Sequence, residues 1–224
     1  MIFKEIKAIL YKELVLEWKQ KYALNGLLLY VACMIVVITL SFMDKAQVIN
    51  LSPITWSVLF WLIILFVAIH VVAKSFIGEQ DGQLLYLYGL ASPVSVFLAK
   101  MLYNSILLIF IGIISGFFYM LLTQQNIQNL GLFLLTVCVG GFALAANMTL
   151  VSAIASKAEN KNVLLAVLSF PLTIPVLITV IKLTRQALEG FLFVENTNRI
   201  VMVAGIGILL SMVSLILFPF IWRD

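Results

Sequence analysis

Side chains able to do acid–base, metal or nucleotide chemistry are few in this sequence, and they do not group as an enzyme needs them. His70 is the only histidine, so neither an HExxH zinc site nor a histidine pair can be built. It sits one turn from the end of an apolar stretch. It reads either as a single axial metal ligand or as an interfacial histidine hydrogen-bonded to a neighbouring helix. The twelve glycines contain no GxxxxGK[ST], which removes the P-loop route to a nucleotide's phosphates. Cys33 and Cys138 lie far apart in apolar stretches, with no CxxC or CxxCH, and read as reduced thiols buried in the membrane core. The apolar stretches are nearly free of carboxylates, so an intramembrane protease has no paired polar groups to work with. Catalysis and a resident cofactor or metal are not expected of this chain.

One internal segment is built differently. Ala73-Lys74-Ser75-Phe76-Ile77-Gly78-Glu79-Gln80-Asp81-Gly82 is polar and glycine-punctuated, and Gln83-Leu84-Leu85-Tyr86-Leu87 follows as a short apolar helix before Ser92-Pro93. An amphipathic helix with Leu84 and Leu87 on one face and Glu79 and Asp81 at its entry suits docking into a groove of a soluble partner. Residues 73–92 are therefore expected to be a coupling segment, with Lys74, Phe76, Glu79, Asp81, Gly82, Leu84 and Leu87 as its working residues.

The elements that position this segment follow from composition. Of 224 residues, 63% are hydrophobic and 11% charged, against about 25% charged in soluble domains. The chain is an all-α membrane protein. Six stretches reach the length of about 20 apolar residues that a span needs: 24–42, 54–72, 97–122, 130–154, 163–183 and 200–222. Ser52-Pro53 and Ser92-Pro93 each place an N-cap hydroxyl before a proline at the first helical position. Counted from Pro93, the third helix runs about 30 residues, or about 45 Å. Its first two turns should protrude from a core of about 30 Å, with Lys100 snorkelling at the boundary.

No cleavable signal is visible. Residues 1–22 are amphipathic, with Ile2, Phe3, Ile6, Ile9 and Leu10 on one face opposite Lys4, Glu5 and Lys12, and the apolar face drifts beyond residue 10. They are expected to form an interfacial elbow helix in two segments, with Trp18 and Tyr22 at headgroup depth. Residues 23–224 form the span domain. With the N-terminus inside, ten of the 14 basic residues fall on the cytoplasmic side and Lys45, Lys182, Arg185 and Arg199 outside. Both termini are then cytoplasmic, and the net charge of +4 reports membrane orientation rather than nucleic-acid binding. Leu188, Phe191 and Leu192 suggest a short outer helix before the last span.

Within the spans, Pro171 and Pro175 each delete an i→i−4 bond. With Ser169 and Thr173 beside them they suggest a helix broken at a bending point or along a substrate path. Asn104 and Asn147 read as interhelical hydrogen-bonding amides. Gly112-x-x-x-Gly116, Gly140-Gly141 and Gly205-x-Gly207 read as sites of close helix approach.

Six spans, an amphipathic first helix, a helix after span two and an outer helix before span six resemble the six-span export-type ABC permeases. Two motifs narrow this. Ala73-Lys74-Ser75-Phe76, Glu79, Gly82-Gln83-Leu84-Leu85-x-Leu87, Pro93 and Leu98-Ala99-Lys100 resemble the motif after span two of the haem-exporter B (CcmB) family of cytochrome c maturation. Leu168-Ser169-Phe170-Pro171-Leu172-Thr173-Ile174-Pro175-Val176-Leu177-Ile178 resembles that family's span-five signature. Lys74 departs from the family's usual arginine, keeping the charge and losing the bidentate fork. The resemblance implies a permease subunit in the bacterial inner membrane, paired with a second copy of itself. Its further partners would be a separate ABC ATPase that binds the ATP, a haem-handling membrane subunit and a haem chaperone. Haem would be cargo, and His70 a possible contact for it. An ABC-2 permease for a lipid, drug or glycan, and a non-transporting scaffold that couples ATP hydrolysis to a membrane partner, remain open alternatives.

Overall fold

The computed structural model describes residues 2–19, 21–43, 51–72, 74–77, 91–158 and 160–223. Among these the chain forms α1 (Ile2–Lys19), α2 (Lys21–Ser41), α3 (Pro53–Val72), α4 (Lys74–Ile77), α5 (Pro93–Thr123), α6 (Leu130–Ala155), α7 (Lys161–Leu188) and α8 (Phe193–Arg223), and no strand. Five of them, α3 and α5 to α8, are long and apolar enough to cross a membrane, and α2 adds a shorter apolar stretch, Asn25–Ser41. At 1.5 Å per residue that stretch covers about 26 Å, close to the thickness of a hydrocarbon core.

The helix starts are set by local chemistry. Ser52 Oγ accepts from the Thr55 amide at 3.2 Å and Ser92 Oγ from the Ser95 amide at 3.3 Å, each ahead of a proline that has no amide to leave unpaired. Asn129 Oδ1 does the same for the Leu132 amide at 3.0 Å.

Helix α6 lies at the centre, packed on α5, α7 and α8 and touching α3 and α4. Small residues let it approach: a Cβ at Gly112 would meet Val137 Cγ1 at 2.8 Å and one at Gly116 would meet Phe133 Cζ at 2.8 Å. Between helices that already sit in lipid, such contacts hold the bundle by dispersion rather than by removing apolar surface from water. Trp56, Phe60, Trp61, Tyr119 and Phe133 form its aromatic core. The two indole N–H groups donate to Thr123 Oγ1 at 2.9 Å and Thr184 Oγ1 at 2.8 Å, which satisfies the polar tips that burial would otherwise orphan.

Several expectations are corrected. No separate outer helix precedes the last span. α7 continues to Leu188, and residues 189–192 alone join it to α8. Gly190, at φ +83°, makes so short a connection possible, because a side chain there would be strained. Residues 2–19 form one helix rather than two. Cys33 and Cys138 are free, but both are exposed on the outside of the bundle rather than buried in it. Gly205 has no atom within 4 Å of a built Cβ, so of that pair Gly207 alone marks a close approach, against Phe142.

Candidate functional site

The polar side chains the bundle brings together lie at the end where α1 docks. Four α5 residues, Phe97, Lys100, Met101 and Asn104, recur at helical spacing and are buried, so one face of that helix is committed to contact. Thr149 and Ser152 face it from the last two turns of α6. The short helix α4 seats between them. Its Phe76 amide donates to Ser152 Oγ at 3.4 Å. Asn104 Nδ2 donates to Ser75 Oγ at 3.3 Å and to Thr149 Oγ1 at 2.9 Å. The Phe76 ring, 3% exposed, packs against Phe218 of α8 at 5.3 Å and lies parallel to Phe97 at 6.5 Å.

Lys100 closes the junction. Rather than snorkelling, it is 2% exposed, because water is replaced by fixed partners on two other helices. Its Nζ donates to the Ser75 carbonyl at 2.5 Å, lies 3.7 Å from Glu13 Oε1 and sits 5.0 Å from the Phe76 ring centroid. A buried ammonium persists only with such compensation, and a desolvated cation–π contact adds about 2 kcal/mol.

Helix α1 docks on the start of α5 through Ile6 and Ile9, leaving Phe3 and Tyr11 exposed. Glu5, expected opposite the apolar face, turns inward instead. Its carboxylate accepts from the Ser92 amide at 3.2 Å and Ser92 Oγ at 3.1 Å. The hydroxyl of Ser95, then the amide of Ser92, hold its pKa below the usual glutamate value.

A second polar group joins α6 to α7. Asn147 Nδ2 donates to Thr173 Oγ1 at 2.8 Å, and that hydroxyl donates on to the Ser169 carbonyl at 2.6 Å. Asn147 Oδ1 is buried without a hydrogen-bond partner among the described residues. α7 runs as a continuous helix through Pro171 and Pro175, so the expected interruption is absent. Both prolines are exposed while Ser169 and Thr173 are buried, which places the missing amides on one side and the hydroxyls on the other.

The sequence-predicted residues thus separate. Phe76 and the backbone of Lys74 belong to α4. Glu79, Asp81, Gly82, Leu84 and Leu87 lie outside the described residues, as do the side chains of Lys74, Trp18 and Tyr22. His70 stands apart, exposed near the end of α3, its Nδ1 2.9 Å from the Phe66 carbonyl of its own helix. A carbonyl can only accept, so Nδ1 is the donor in that contact. No group of three or more metal-ligating side chains occurs among the described residues. Sequence reading missed Glu13, Thr149, Ser152 and Phe218, and gave Ser75 no role of its own within the coupling segment. The helical spacing of Phe97, Lys100 and Asn104 was the available signal, but nothing in the sequence says which face of α5 meets α4.

A search of individual curated proteins returns no match. The family profile described as CcmB protein matches residues 4–223, nearly the whole chain, and so includes both motifs and every helix above. With five helices long enough to cross a membrane and this match end to end, the chain is a multi-pass membrane protein that belongs to the CcmB family, the permease family of haem export in cytochrome c biogenesis.

Proposed function

We propose that this chain is the membrane permease subunit of an ABC-type complex required for c-type cytochrome maturation. It would act as a pair of copies in the bacterial inner membrane with both termini cytoplasmic and α1 as an interfacial elbow. A partner ATPase supplies the force, and a haem-handling membrane subunit and a haem chaperone receive it, as haem export or as release of the loaded chaperone. The observation that carries the coupling part is the anchoring of α4. Ser75 and Phe76 are fixed to α5, α6 and α8, immediately before the segment Gly78–Leu90 that offers Glu79, Asp81, Leu84 and Leu87. A push on that segment therefore has a rigid point of entry into the bundle. ATP-driven closure of the ATPase pair presses on it, and α7, weakened at Pro171 and Pro175, turns the push into movement at the far side.

Affinity purification from native membranes, with identification of the co-purifying subunits, tests the assignment. An ATPase together with haem-handling partners is the expected set, and an ATPase alone would point to another cargo. Leu84→Asp with Leu87→Asp should abolish ATPase co-purification while the chain still inserts. Undiminished assembly of that variant refutes the segment as the contact.

A further inference from the structure

Lys100 is a cation that has given up water in a helix from which a lysine could ordinarily reach the interface. Among the described residues, two helices supply partners in place of water. Helix α4 presents the Ser75 carbonyl and the face of Phe76. Helix α1 presents Glu13, whose Oε1 is buried, makes no hydrogen bond among the described residues and lies 3.7 Å from both Lys100 and Lys12. Lys12 is largely exposed, so of the two ammonium groups Lys100 acts where the dielectric is low and the attraction strongest. The same α1 is also held at Ser92, the residue that caps α5 after the coupling segment, through Glu5. The described residues on either side of 78–90 are thus both linked to α1, α4 through Lys100 and Ser92 directly through Glu5.

We propose that Lys100 is a positioning residue for coupling, locking α4 and α1 to the same turn of α5 so that a push arriving through α4 is shared with the N-terminal helix. This rests on the reading of the segment 78–90 as the ATPase contact. The ammonium's bond to a backbone carbonyl makes the role asymmetric. A carboxylate at position 100 would face the Ser75 carbonyl and the negative face of the Phe76 ring, and would repel both. Restoring an ion pair with exchanged signs should not restore the lock.

Hydrogen–deuterium exchange on the full chain in nanodiscs tests the lock without depending on function. In Lys100→Met, amides of 74–77 should exchange at least tenfold faster than in the parent chain, while Lys182→Met, altered at an exposed site, leaves them unchanged. Glu13→Gln should speed exchange in α1 more than in α4. The exchanged pair Glu13→Lys with Lys100→Glu should look like Lys100→Met. Unchanged exchange at 74–77 in Lys100→Met, or protection regained in the exchanged pair, overturns the positioning role.

In the assembled complex, Lys100→Met should keep ATP hydrolysis within about twofold while cytochrome maturation per ATP falls at least tenfold. Normal maturation despite a loosened α4 overturns the coupling role. Failure of the segment itself as the ATPase contact would show separately, in the co-purification of the Leu84 and Leu87 variant.

Discussion

Replacing Pro171 and Pro175 together by alanine should make this protein more stable and less active. Each proline withholds an amide from the carbonyl four residues back, Val167 and Pro171 respectively, within a helix that is otherwise continuous from Lys161 to Leu188. A proline in a helix interior costs about 3 kcal/mol relative to alanine. Part of that has already been absorbed by the surrounding backbone, so about 1–3 kcal/mol per site is recoverable. The opposing loss is small, because both rings are exposed and truncation opens no internal cavity of the kind that makes core substitutions expensive. Alanine also keeps the span apolar, so insertion should be unaffected. The sum predicts a gain of about 2–6 kcal/mol, readable as a raised unfolding midpoint in detergent. A stiffer α7 can no longer bend where the proposed mechanism needs it. Protein level and ATPase association should therefore be normal while c-type cytochromes, detected by haem staining, fall below a tenth. Normal maturation by the stabilised variant would refute a mechanistic role for the two prolines, and a destabilised variant would refute the backbone reasoning itself.

The docking of α1 should weaken in acid. Glu5 has its pKa lowered from 4.5 by Ser95 and Ser92, so its contribution is complete above that value and is lost as pH falls through the lower, folded one. Glu5→Gln should flatten the pH dependence of α1 protection in hydrogen exchange. At the α6–α7 contact, Thr173→Val should destabilise by about 1–3 kcal/mol, since it leaves the buried Asn147 amide nitrogen without its acceptor. Asn147→Ala with Thr173→Val should cost less than the sum of the two single changes, and strict additivity in unfolding would deny the bond between them. Glu79→Gln should lower cytochrome maturation if that carboxylate accepts charge-assisted bonds from the ATPase, each worth about 1.5–3 kcal/mol when desolvated. Full maturation would make it a solvated loop charge.

Composition and short-range spacing alone determined a good deal of this protein. Twenty-residue apolar runs have one solution in lipid, since every backbone amide must be satisfied within its own segment. The capping pairs Ser52-Pro53 and Ser92-Pro93 act within one turn, so they too were legible, as were the two family motifs. Tertiary structure alone decided the partners of charged and polar side chains. Lys100 reads as a snorkelling lysine until α4 and α1 supply a carbonyl, a ring and a carboxylate. Glu5 reads as part of a solvated face until the start of α5 places Ser92 against it. The prolines read as a break until packing keeps α7 helical on both sides of them. Hydropathy is a sum over single residues, whereas the cost of burying a charge or an unpaired amide depends on what a distant segment brings within about 4 Å. Contacts between residues 13, 75 and 100, or 147 and 173, exist because helices far apart in sequence pack side by side, and no local pattern encodes which faces meet.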